Sequence, residues 1–457
     1  MDDDALANEF SGWGRFDLHA RRVRTLYMEP LHIRISPNIY FRIRAMRDSP
    51  LLPGLKKICI PNIQVHRSGF PPSHHDISVD LSSALFLASG STLDMVQIDS
   101  NAISDREFFV PFLSSLYIKS PGLSHLALRG VVLSASVKHI CRFTELQSLE
   151  IRLRYQHLHQ LLHKLGQLPY LLDLIIDTDD FAPSIQPHTT PISISNSKFR
   201  QLRHLKILGT SASILWILNE LKSLTNLSAL KIDRLGESDT WEVDDSSETW
   251  KSFFEVITTF SAVEDIEIFN RPLASISVSS LASLFRLDNL KSFVINDSIA
   301  LSGSDDDFRL LPGGFPKLKK FVVPRPPYTD GRTLASLYYL SRECPDLREI
   351  NFALSSNVSD NLIAVTRLPH PIVRNRQHPL EKLYIDSDFG QIQPIQLVQV
   401  ARFLDLIFPN LSTLESRATT TSVFDNPTTE HGTWAGIQEL RSALQDARIN
   451  PSSVSNI

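Results

Sequence analysis

The residues best equipped for chemistry are histidines and cysteines, and each group can be weighed by its spacing. His159 and His163 stand four apart, which on a helix places both imidazoles on one face at the spacing of a two-histidine metal site. His157 precedes them, but no cysteine or carboxylate nearby completes a ligand set, so the run reads as helix surface and no metal is expected. His74 and His75, between Pro72 and Asp76, read as solvated loop residues. A thiolate nucleophile needs a base or cation that lowers its pKa. Cys59 sits between Ile58 and Ile60 with no base beside it, and Cys344 reads as a small apolar residue at a helix-to-strand turn. Glycine-rich phosphate loops, His-Glu-x-x-His and Gly-x-Ser-x-Gly do not occur. No catalytic residue, cofactor-binding residue or metal ligand is expected, and the chain reads as non-enzymatic.

The elements that carry these residues follow one short phrase: an apolar residue, two variable ones, an apolar residue, a variable one and a third apolar residue. It is clearest at Leu123/Leu126/Leu128, Leu202/Leu205/Ile207, Leu227/Leu230/Ile232 and Leu380/Leu383/Ile385. Strand side chains alternate at period two, so the second and third apolar residues face inward and the residues between them face solvent. With weaker copies from Val23 to Leu414 the phrase occurs fourteen times at a step of about 30 residues, near the upper end of the leucine-rich-repeat period. Helix-spaced apolar segments connect the strands at Ile214–Leu224, Thr249–Ile257, Thr333–Leu340 and Leu397–Ile407. The expected fold is an α/β leucine-rich-repeat solenoid, a curved horseshoe with parallel strands on the concave face and helices on the convex face.

The length of 457 residues would suggest several domains, but a solenoid grows without a single central core, so one continuous array is expected. Its bounds are a lead-in over 1–20, a solenoid of about 14 irregular repeats over 21–416, and a linker with a C-terminal capping helix over 417–457. That helix is read at Thr433–Leu444. Three proline- and glycine-containing insertions, Thr178–Lys198, Ala300–Pro316 and Leu368–Pro379, read as surface loops. With 42% hydrophobic and 21% charged residues the composition is that of a folded globular chain. A net charge of −4 gives no bulk attraction to nucleic acid or an anionic membrane. Three scattered cysteines, an acidic start and the lack of a long apolar run lead to the expectation of a cytoplasmic or nuclear protein. The sequons at Asn226 and Asn410 fall inside the repeat phrase, where a glycan would break packing.

The lead-in carries Trp13-Gly-Arg-Phe16 and then His19-Ala-Arg-Arg-Val-Arg-Thr-Leu26, and a later repeat opens Cys344-Pro-Asp-Leu347. These residues resemble the junction after the F-box, and the Cys-Pro-x-Leu repeat start, of fungal F-box/leucine-rich-repeat-like proteins. The resemblance implies the substrate-recognising part of a Skp1-cullin-F-box-type ubiquitin ligase, with a target held on the concave face. The stretch before Val23 is shorter than an F-box, so the module that would dock the Skp1 adaptor is expected to be missing. The alternative is a stand-alone scaffold or adaptor without a ubiquitin link.

If the phrase is a strand, its outward residues line up as rungs, from Gln97 through Ala127, Glu150, Ile175, Lys206, Lys231, Glu267, Val294, Val322 and Asn351 to Tyr384. A second row, two residues further along, includes Asp99, Arg129, Arg152, Asp177, Leu208, Asp233, Phe269 and Asn296. Arg129, Arg152, Lys206 and Lys231 would make the first half basic, Glu267 adds an acidic step, and Phe269, Val294 and Val322 an apolar one. The residues expected to contact a protein are Arg129, Arg152, Lys206, Lys231, Glu267, Phe269, Asn351 and Tyr384. Trp241, amid Glu237, Asp239, Glu242, Asp244, Asp245 and Glu248, is a further candidate contact in an acidic loop.

Overall fold

A computed structural model gives the structure of the chain. It describes residues 13–28, 50–61, 92–99, 101–104, 106–153, 158–178, 199–234, 247–270, 274–296, 298–310, 315–323, 332–368, 378–385, 392–416 and 430–449, with residues 39, 42, 87 and 389. The chain divides into two compact units, Met1–Gly209 and Thr210–Ile457.

Among the described residues of the first unit seven strands follow one another: β1 (Thr25–Tyr27), β2 (Lys57–Ile60), β3 (Met95–Ile98), β4 (His125–Val132), β5 (Ser148–Leu153), β6 (Asp173–Thr178) and β7 (His204–Gly209). Each pairs in parallel with the next in chain order. Strands β5 and β6 alternate half-buried and buried residues without exception, which is the period-two burial that the apolar phrase requires. Helices α1 (Arg106–Lys119), α2 (Ser134–Ile140) and α3 (Leu158–Leu165) fill the connections, burying Phe109, Phe112, Leu113, Val137, Leu161 and Leu162.

The second unit holds β8 (Ala229–Arg234), β9 (Asp265–Asn270), β10 (Ala274–Ser277), β11 (Ser292–Ile295), β12 (Ile299–Ser302), β13 (Lys320–Val323), β14 (Glu349–Phe352), β15 (Lys382–Ile385) and β16 (Thr413–Ser416). The repeat strands β8, β9, β11, β13, β14, β15 and β16 pair in parallel in that order. The connecting helices are α4 (Ser211–Glu220), α5 (Ser247–Ile257), α6 (Asp305–Leu310), α7 (Leu334–Glu343), α8 (Val358–Thr366), α9 (Pro394–Ile407) and α10 (Glu430–Ile449). Stacked rings run through this core: Phe293 lies 6.0 Å from Phe321, Phe321 6.5 Å from Phe352, and Phe308 meets Phe352 edge-on at 5.1 Å. Parallel strands joined by helices at this repeat are consistent with a leucine-rich-repeat-like solenoid.

The insertion Ala300–Pro316 departs from the expected loop. Ile299–Ser302 pairs with Ala274–Ser277 as a separate two-stranded parallel sheet, and Asp305–Leu310 is helical. Ile299, Leu301 and Phe308 are fully buried, so a short apolar period outweighs the local aspartates and glycines. Asp305 then caps α7: its carboxylate accepts from the Thr333 N–H at 2.8 Å, the Thr333 hydroxyl at 2.7 Å and the Ser336 hydroxyl at 2.6 Å. At the C-terminal end α10 packs on α9 and β16, with Trp434 buried 4.7 Å from Phe389 and Gln438 donating to the Ser412 carbonyl. The insertion 179–198, residues 369–377, His74, His75 and the stretch 417–429 lie outside the described residues.

Candidate protein-binding face

The outward rungs form because parallel pairing holds every phrase in one register. In the first unit Tyr27, Cys59, Gln97, Ala127, Glu150, Ile175 and Lys206 lie opposite one another in turn. In the second, Lys231, Glu267, Val294, Val322, Asn351, Tyr384 and Glu415 do the same. Most of these side chains are half-buried, as expected on the open side of a sheet whose other side is packed.

The second row holds only in part. Arg152 faces Asp177 and Asp177 faces Leu208, but β4 slips between Leu128 and Val131, so Val131 rather than Arg129 lies opposite Arg152. At the bulge Arg129 meets its diagonal neighbour Glu150. Its Nε donates to Oε1 at 2.8 Å and its Nη2 to Oε2 at 3.3 Å, and this carboxylate raises the arginine's pKa. Arg152 lies 3.5 Å from Asp177, and Lys231 donates to Glu267 at 2.7 Å.

These pairs overturn the expectation of a basic first half. Parallel registry sets carboxylates from adjacent strands against three of the four cations, and only Lys206 forms no ion pair among the described residues. Further pairs border the rungs: His204 with Asp173, Lys291 with Glu264 at 2.6 Å, and Lys320 with Glu349 at 3.0 Å. Each lies on a wet surface and contributes at most about 1 kcal/mol. Their effect is to fix side-chain positions and leave the face nearly neutral.

Three of the expected contact residues come together. The Lys231 ammonium that meets Glu267 also lies 4.4 Å from the centre of the Phe269 ring, giving a cation held between a carboxylate and an aromatic face. Val294 and Val322 continue the rung as half-buried apolar residues and lead towards Tyr384. Asn351 does not belong to the exposed set. It is only 5% exposed, and its Oδ1 has no hydrogen-bond partner among the described residues. It lies opposite Val322 on one side and Tyr384 on the other. Ala353, two residues beyond Asn351, is buried as well. Asn296 turns from the open row to clamp the backbone of Asn270, accepting from its N–H at 3.1 Å and donating to its carbonyl at 3.0 Å.

Trp241 and its acidic neighbours Glu237 to Asp245 lie outside the described residues. His163 is exposed on α3, and among the described residues no three His, Cys, Asp or Glu side chains are grouped to hold a metal ion. Burial pushes the Cys141 thiol up to about 11 and Cys344 up to about 12, and raises Cys59 as well, so all three stay protonated at neutral pH. Cys59 is buried, with Sγ 3.9 Å from Gln97 Oε1, although alternation alone puts it on the open row. A residue that sequence reasoning passed over is Arg332. It is buried against the rings of Phe308 and Phe352 with Nη1 and Nη2 lacking hydrogen-bond partners among the described residues, and it lies outside the apolar phrase, which gives no signal for it. No helix among the described residues is long and apolar enough to cross a membrane.

No protein-family model and no curated protein matches the chain. Among solved structures it is similar to the crystal structure of the Rad7 and Elc1 complex in yeast, at 15% identity and a TM-score of 0.35 over 72% of this chain and 75% of that one.

Proposed function

We propose that the chain is a non-enzymatic protein-binding module that holds its target against the open side of the repeat strands. The observation that carries this reading is the Lys231–Glu267–Phe269 cluster continuing into Val294 and Val322: a preset cation, carboxylate and ring beside an apolar strip. Such a surface offers the aromatic and apolar contact that anchors an interface, with charged groups at its border to set orientation. In this reading the array is curved, with these strands on its concave side. By the resemblance of its Trp13–Leu26 and Cys344–Leu347 segments, the module serves as the substrate-recognising part of a Skp1-cullin-type ubiquitin ligase.

The test is an affinity pull-down from extract with the chain beside Lys206→Glu and Phe269→Ala variants, the bound proteins being identified by mass spectrometry. Targets lost with either variant support the binding face, and Skp1 recovered equally by all three forms supports the ligase role. Variant-sensitive partners without Skp1 would leave a stand-alone scaffold. Partners that ignore both substitutions would remove the face from consideration.

A further inference from the structure

Within the first unit β2 to β6 are each paired on both sides, whereas β1 pairs only with β2. In a parallel ladder alternate residues turn both backbone groups to the same neighbour. The Arg24 carbonyl accepts from the amides of Lys56 and Lys57, and the Met28 N–H donates to Cys59, all at 2.9 Å. Thr25 and Tyr27 therefore direct their N–H and C=O groups away from β2. Neither residue uses those groups in a hydrogen bond among the described residues. An open edge of this kind invites another strand.

The surroundings state which strand would fit. Of the eight exposed large apolar side chains among the described residues, four precede β2: Phe16, Leu18, Tyr27 and Ile39, with Tyr27 64% exposed. Arg15, Arg21, Arg22 and Arg24 are exposed too and form no ion pair among the described residues, and Asp17 is the one acidic residue from Trp13 to Met28. The edge is also held in place. Arg24 Nη1 donates to the Gly54 carbonyl at 2.9 Å, and a Cβ on Gly54 would clash with the Arg21 carbonyl oxygen, an approach only glycine permits.

We propose that β1 is a strand-addition site for an acidic, extended segment of a partner protein. The partner's backbone pairs with Thr25 and Tyr27, its carboxylates meet the four arginines, and its apolar residues cover Tyr27 and Leu18. A second copy of this chain would bring like charges face to face. An anionic membrane or nucleic acid would satisfy the arginines and leave the strand edge open. The proposal rests on the backbone edge of β1 and not on the open side of the strands, although Tyr27 also begins the rung described above.

The test uses the full chain and fluorescein-labelled nine-residue peptides with glutamate at alternate positions and valine, leucine, isoleucine or phenylalanine between, each matched by a lysine version. Anisotropy should show at least one glutamate peptide binding ten-fold or more tighter than its lysine match. Thr25→Pro removes only the outward N–H and sets a ring in the path of the incoming strand. It should weaken that binding at least ten-fold while the far-UV circular dichroism melt stays in place. Arg21→Glu/Arg22→Glu, which leaves the backbone edge intact, should reverse the preference towards the lysine peptide. Glutamate-peptide binding that ignores Thr25→Pro would overturn the proposal, as would the absence of binding to every peptide. So would a Thr25→Pro-sensitive dimer in sedimentation, or binding of phosphatidylserine vesicles with no peptide binding.

Discussion

His378 shows how a single buried residue couples stability to pH. It donates through Nε2 to the Cys344 carbonyl at 3.2 Å, accepts the Leu380 N–H at Nδ1, and meets the Phe408 ring edge-on at 5.1 Å. Burial pushes its pKa down to about 4. The unfolded chain takes up the proton near pH 6.5 and the folded chain does not until near pH 4, so the neutral imidazole contributes stability above pH 6.5 that is lost as the pH falls. The loss should approach about 3 kcal/mol by pH 4, read from denaturant midpoints against pH. His378→Phe, less stable at pH 7, should show a flatter acid limb. Arg332 makes the opposite case: burial lowers its pKa to about 10, and its Nη groups have no hydrogen-bond partner among the described residues despite the nearby Asp305. Removing a buried charge without hydrogen bonds is cheap, so Arg332→Met should move stability by no more than about 1 kcal/mol and can raise it. Asp305→Ala strips three hydrogen bonds from the start of α7 and should lower stability by about 2 to 3 kcal/mol. Equal melting shifts for the two variants would contradict this account.

Among the elements, α10 has the clearest structural task. It lays Trp434 and Ile437 against the last strand and α9, and Gln445 reaches the Pro409 carbonyl. An end strand with one packed side needs such a cover, or its apolar edge meets water. Trp434→Ala should cost about 3 to 5 kcal/mol, with hydrogen exchange accelerating first in β16 and the end of α9. Uniform acceleration across the second unit would show that α10 does not act locally. The stretch Thr433–Leu444 marked this helix by its periodicity, though the element begins at Glu430 and ends at Ile449, because polar residues at both ends leave the apolar pattern silent. The insertion holding Ile299–Ser302 was less legible. Four residues with buried partners far along the chain make a strand, and nothing in their own neighbourhood announces the partner.

At the scale of the whole molecule, repeats that touch only their neighbours make damage spread from repeat to repeat. Leu205, buried on β7, and Lys206, half-buried beside it, test the assignment of sides. Leu205→Asp should cost several kcal/mol and open β7 and β6 together in hydrogen exchange, while Lys206→Glu should leave the melt within about 0.5 kcal/mol. Similar melts for both would mean the sides are misassigned. The apolar phrase by itself determined the repeat strands and their inward residues, since alternation at period two is a local property of the chain, and its recurrence about every 30 residues gave their parallel order. It also placed Lys231, Glu267 and Tyr384 on one rung. The tertiary structure alone decided which charges remain unpaired and which rung residues are covered. Arg129 meets Glu150 across adjacent strands beside the β4 bulge, and Arg152 meets Asp177 because two strands align. Asn351 is buried although its register puts it on the open row. Charge pairing and enclosure are properties of neighbours some 30 residues away, so a pattern read within one phrase cannot contain them.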